Sequence, residues 1–234
     1  MFSRVVYAVA CDCGTKNRKG MTMAMSAKER FDQMMLRCEN LLKASDVQGL
    51  ADGVRDDMRR SVVVLSVAAL DTYAVDRFME EFAKYLKRHE LKYSQVRVLE
   101  ESGISVKDVL EMLRLGVKRP YRRIRTKVEH HFSTKSYQSF RAINELYRFY
   151  GLPHIVDDAV GKAHLKTLGG KVDKMIRRRH SIVHEGDFNG WNKPDTIDRR
   201  QVGQWPEATR IFVRNMEAIV GNRFDREGEA GKKM

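Results

Sequence analysis

The stretch from about Arg55 to Arg88 limits the possible folds more than any other part of the chain. It reads Val62-Val63-Val64-Leu65, Val67-Ala68-Ala69-Leu70, Tyr73-Ala74-Val75, Phe78 and Phe82. Apolar side chains therefore fall on nearly every side of a helical wheel, the pattern of a buried helix. Valine favours strands, but the run does not alternate and is too long for one. A central helix of this kind has to be covered by others, and the expected fold is an all-α bundle.

The flanking segments carry helical signals. Ser26 followed by Ala27-Lys28-Glu29 has the form of an N-cap with an acidic first turn. Phe31, Met34, Met35, Cys38, Leu41 and Leu42 then recur at helical spacing as far as Ser45. Ser105 and Asp108 form a capping-box pattern opening a short helix through Leu115, and Pro120 interrupts the pattern after it. Further helices are expected over 136–150, 163–183 and from Ile197 or Val202 to Val220, with Gly186 stopping the second of these.

Length and composition agree with one folded domain, expected over residues 26–221. Hydrophobic residues make up 42% of the 234 and charged residues 32%, a balance that can bury a core without disulfides. Residues 1–25 read as a flexible lead or the product of an over-called start codon, and 222–234 as a disordered charged tail. The longest apolar run, Val62 to Leu70, is too short for a membrane span. Three cysteines form no framework, which suits a reducing, cytoplasmic setting. Cys11-Asp12-Cys13 looks like half of a metal site without a second half, and neither metal nor cofactor is expected.

The formal net charge of +13 points to a polyanionic partner, RNA above all, because Lys and Arg displace counterions from phosphates. Lys118, Arg119, Arg122, Arg123, Arg125 and Lys127 cluster around Pro120. They are the candidate nucleic-acid contacts, with a solvated basic face as the alternative. The chain has no Gly-rich phosphate loop, no zinc-binding His-Glu-x-x-His helix and no paired Cys-x-x-Cys. His130, His131, His154 and His164 have no evident partners in the sequence.

The segment from Arg179 to His184 carries the chemistry. On a helical wheel Leu168, Val172, Met175, Ile176, Ile182 and Val183 define one apolar stripe, and Arg179 falls in its middle. A guanidinium there belongs to the core or to an interface and needs compensation. Asp71 lies in the apolar face of the central helix, so an Asp71–Arg179 contact is expected, either orienting the Arg or serving only as a buried salt bridge. His180 and His184 sit four residues apart on one flank. Imidazole exchanges protons at neutral pH, and Arg beside His suits cleavage of a phosphodiester by the neighbouring 2′-hydroxyl, which requires RNA.

The run Arg178-Arg179-His180-Ser181-Ile182-Val183-His184-Glu185-Gly186-Asp187 resembles the signature of the HEPN superfamily: an Arg, a polar residue, then a His near the end of a late helix. Val63 to Tyr73 is similar to the upstream helix of the RiboL-PSP-type HEPN proteins, and the resemblance covers residues 26–221. It implies a compact HEPN-type helical bundle, with a helical insertion in the middle third, that forms a homodimer and brings two Arg/His motifs together. It implies a metal-independent endoribonuclease acting as a toxin or antiviral defence effector, with an antitoxin or defence-system protein as a possible partner. Arg179 and His184 become the catalytic pair, His180 takes the polar position beside the Arg, and Arg178 and Asp71 are supporting residues. Other HEPN proteins lack nuclease activity and act as RNA-, nucleotide- or protein-binding modules, which is the alternative function.

Overall fold

The computed structural model describes residues 25–230 apart from His164 and Lys166, with backbone alone for 226–230. The expectations for the N-terminal lead, for Cys11 and Cys13, and for His164 fall outside the described residues. Nine helices are present among those described: α1 (Ala27–Ala44), α2 (Asp52–Arg88), α3 (Tyr93–Glu101), α4 (Val106–Arg114), α5 (Pro120–Ser133), α6 (Phe140–Arg148), α7 (Ile155–Lys162), α8 (Leu168–His184) and α9 (Arg199–Ala230). None is long and apolar enough to cross a membrane.

α2 is the axis of the bundle, packed by α1, α5, α6, α8 and α9. Its Val62, Val63, Val67, Leu70, Tyr73, Ala74, Phe78 and Phe82 are all buried, as a helix apolar on every side demands. α1 supplies Phe31, Met35, Cys38 and Leu42, one residue per turn along a single face. Its start is fixed by Ser26, whose hydroxyl accepts from the Glu29 amide while the Glu29 carboxylate accepts from the Ser26 amide. The C-terminal half of α2 is an aromatic knot. Phe78 lies 4.6 Å from the stacked ring of Tyr150 and meets Phe132, Tyr147 and Phe149 edge-on. Each buried ring of this size contributes about 1.5–3 kcal/mol. The hydroxyls of Tyr147 and Tyr150 donate to the carbonyls of Ala74 and Phe78, so no polar tip is left bare.

This core also buries a charge. Arg77 is 6% exposed and donates to Glu217 and Glu81, while Tyr73 donates to the other oxygen of Glu217. This network ties α2 to α9.

Three contacts give α5 its direction. Lys87 sits over the Tyr121 ring, Phe132 meets Phe78, and the Tyr137 amide donates to Asp71. α5 therefore runs antiparallel to α2, its start at the C-terminal end of α2. Pro120 does not interrupt the chain there; it occupies the first turn of α5, where its missing N–H costs nothing. α6 is shorter than the expected 136–150 helix because Ser139 caps it, and α8 starts at Leu168 rather than Ala163. α9 continues through Ala230, so the backbone after Asn222 is helical as far as that residue.

Candidate functional site

The end of α8 is built by a sharp stop. Glu185 and Asp187 amides both donate to the Ser181 carbonyl, and Gly186 and Asp187 have φ of 67° and 59°. This is a left-handed exit of the kind glycine and aspartate tolerate. The positive φ favours glycine at 186, and a Cβ there would stand 3.2 Å from the exposed Phe188 ring, which would have to shift slightly.

The stop delivers Asp187 into the protein, where it is 2% exposed. Its Oδ2 accepts from Arg60 Nε of α2 at 2.6 Å and from Arg178 Nη2 of α8 at 3.0 Å. Arg178 also donates to Asp195 Oδ2 and to the Thr196 carbonyl, and Arg60 to the Asp195 carbonyl. Two guanidiniums thus clasp the loop after α8 and fix the helix end against α2. Arg178 belongs to this clasp. Arg60, Asp187 and Asp195 carry no motif of their own, and sequence alone assigns them no role. Gly186-Asp187 after a helix is the one local signal.

At the surface of the same helix end, Arg179 Nη1 lies 3.2 Å from His184 Nε2. Five positions on a helix are separated by roughly 500°, so the length of the arginine closes a gap that spacing alone leaves open. His180 packs against His184 with ring centroids 4.7 Å apart. The three side chains form one accessible group at a helix C-terminus, where the peptide dipoles favour cations. A guanidinium only donates, so a hydrogen bond across this contact uses Nε2 of His184 as the acceptor, in the tautomer that carries its proton on Nδ1. Such a nitrogen can accept a proton while the guanidinium holds an anion beside it.

The expected Asp71–Arg179 contact is not formed. Asp71 accepts from the Tyr137 amide at 2.7 Å and from Gln138 Nε2 at 2.9 Å, holding the segment between α5 and α6 on α2. The register explains the correction. The clasp sets the end of α8 beside Arg60, and Asp71 lies eleven residues, roughly 16 Å, further along α2. Arg179 needs no buried counter-ion because the apolar stripe leaves the core at this point: Met175 is buried, Ile182 partly covered and Val183 45% exposed.

A family model described as RiboL-PSP-HEPN matches residues 36–222. The chain belongs to the RiboL-PSP-HEPN family. No curated protein and no solved structure matches it.

The matched span of this HEPN protein includes all of α2 and the whole Arg179–His184 helix end. It also includes the basic cluster, which lies elsewhere, on the turn before α5 and on α5 itself. Lys118, Arg119, Arg122, Arg123 and Lys127 line an open cleft of about 760 Å³ beside α5. Lys127 is engaged by Asp108 and the Gly103 carbonyl, and Arg125 faces Glu129 at 4.0 Å. No group of three His, Cys, Asp or Glu among the described residues is placed to hold a metal ion.

Proposed function

We propose that this HEPN protein is an endoribonuclease that cleaves without a metal ion, using Arg179 and His184. The 3.2 Å contact between Arg179 Nη1 and His184 Nε2 carries the reading, because it joins a proton acceptor to a fixed cation on an accessible surface. His184 Nε2 takes the proton from a ribose 2′-hydroxyl, whose oxygen attacks the adjacent phosphorus. Arg179 stabilises the charge that grows on the phosphorane oxygens. The P–O5′ bond breaks, the leaving oxygen is protonated, and the products are a 2′,3′-cyclic phosphate and a 5′-hydroxyl. His180, against His184, is the candidate to orient the ring or to return a proton.

The reading includes a homodimer that brings two such helix ends together in the cytoplasm. Phe188 and Trp191, 57% and 85% exposed on the loop directly after α8, supply aromatic area of the kind interfaces bury. A nuclease with so simple a site needs restraint, which supports a toxin or antiviral effector held by an antitoxin or defence-system partner. Expression should arrest growth, and His184→Ala should relieve the arrest. RNA cleavage at the unaltered rate by the Arg179→Ala/His184→Ala double variant would remove the assignment. The basic cleft on α5 favours the second reading, a non-catalytic dimer that binds RNA, nucleotide or protein, and growth unaffected by active expression would favour it further.

A further inference from the structure

Arg119, Arg122, Arg123, Thr126, Lys127 and His130 recur at helical spacing and line the same cleft. From Arg122 to His130 they form one face of α5, about 12 Å long, and Arg119 precedes the helix as its N-cap. The opposite face, with Val128 and Phe132, is buried against the core. Lys118 joins the cleft from the preceding turn.

Among the described residues, Lys118, Arg119, Arg122 and Arg123 have no side-chain hydrogen bond or ion pair, whereas Arg60, Arg77, Arg178 and Arg199 are all engaged. No carboxylate lines the cleft, and the nearby Asp108 is bound by Lys127 and Ser105. The start of α5 has no acid in its first turn and no side-chain cap, so the helix end adds its own partial positive charge. Four like charges held together without counter-ions repel one another, and a chain of phosphates would relieve that repulsion.

We propose that this face of α5 is a second RNA site, which grips the backbone of a single strand by several consecutive phosphates. The row of cations from Arg119 to Lys127, about 12 Å long, fits an extended strand better than the compact phosphates of a nucleotide. The site is remote from the Arg179–His184 pair. Tyr121 lies under Lys87 at one end of α2, and the clasp lies at Arg60, 27 residues and roughly 40 Å away. Within one protomer, gripping and cleaving therefore occur on different stretches of a strand. The choice of RNA rests on the ribonuclease reading; the anion site itself does not.

The test is binding by the intact protein carrying His184→Ala, measured by anisotropy of a fluorescein-labelled 20-nucleotide RNA at several salt concentrations. Adding Arg119→Gln, Arg122→Gln and Arg123→Gln should weaken binding at least about tenfold. It should flatten the slope of log K against log salt by about two, at roughly 0.7 for each phosphate no longer neutralised. The corresponding triple Arg→Lys variant should keep the slope, which separates charge from damage to the fold. Unchanged affinity and slope in the Gln variant would overturn the proposal. So would displacement by ATP at the same phosphate concentration as effectively as by unlabelled RNA, since the cleft would then serve a compact nucleotide. If RNA binds as described while His184→Ala still cleaves, the catalytic assignment fails and the binding site stands.

Discussion

Asp187→Asn tests whether the buried clasp holds the end of α8. The substitution keeps the side-chain volume and the left-handed backbone preference and removes only the charge. Asp187 Oδ2 takes two charge-assisted hydrogen bonds, from Arg60 and Arg178, and its Oδ1 is buried without a partner. An asparagine oriented with its oxygen toward the guanidiniums would place its amide in that unpartnered position. Each bond falls from an ion pair, near the top of the roughly 1.5–3 kcal/mol range for charged groups, to a guanidinium–amide bond near its bottom, so each of the two loses about 1 kcal/mol. Asp195 still partners Arg178, which keeps the loss from growing beyond this. The expected destabilisation is therefore about 2 kcal/mol, or a fall in Tm of about 4–8 °C for a chain of this size. Asp187→Ala should cost about 4 kcal/mol, because both guanidiniums then face each other without the anion and the backbone is strained. Urea unfolding followed by helical circular dichroism would measure both, with an unchanged m-value expected. A loss under about 0.5 kcal/mol for Asn, or an Ala variant no worse than Asn, would refute the clasp.

Three further outcomes follow from the same geometry. Arg77→Ala should destabilise the fold by about 3–5 kcal/mol in urea unfolding, since it strands Glu217 and Glu81 beside the core. Asp71→Asn should cost about 1–2 kcal/mol and leave RNA cleavage within about twofold, because Asp71 holds the Tyr137 segment and not Arg179. The hydrogen bond from Arg178 holds the Asp195 carboxyl below its ordinary 3.8. A carboxyl lowered on folding stabilises the protein fully above its unfolded value and loses that contribution as pH falls through the folded one. The destabilisation by Asp195→Asn should thus be constant from pH 8 to pH 5 and shrink only below about 3.8.

What the sequence revealed was mostly local. Ser26 and Ser105 cap α1 and α4 as their neighbours Glu29 and Asp108 require, and the apolar run of α2 defines the bundle axis without reference to any partner. α3 and α7 are nine and eight residues long, too short for periodicity to separate them from loops. Pro120 read as an interruption because proline is compatible both with ending a pattern and with opening a helix. Arg179 and His184 are paired by the resemblance to the HEPN signature; their spacing alone leaves a gap that the length of the arginine closes. The partner of Arg178 and Arg60 could not, since Asp187 reaches Arg60 across 127 positions and only the packing of α8 on α2 sets their register. The same register misplaced Asp71, which shares an apolar face with no charge on α8 once the helices are aligned.

If Arg179 and His184 cut RNA by 2′-hydroxyl attack, the chemistry is written in the ends of the fragments. The purified protein would be incubated with a defined RNA in EDTA and the product ends read by mass spectrometry. Attack by the 2′-hydroxyl predicts fragments ending in 2′,3′-cyclic phosphate and starting with 5′-hydroxyl. They should form at least about 100-fold more slowly with His184→Ala and with Arg179→Ala, both still folded. Fragments carrying 5′-phosphates, or equal cleavage by the His184→Ala protein, would contradict this chemistry.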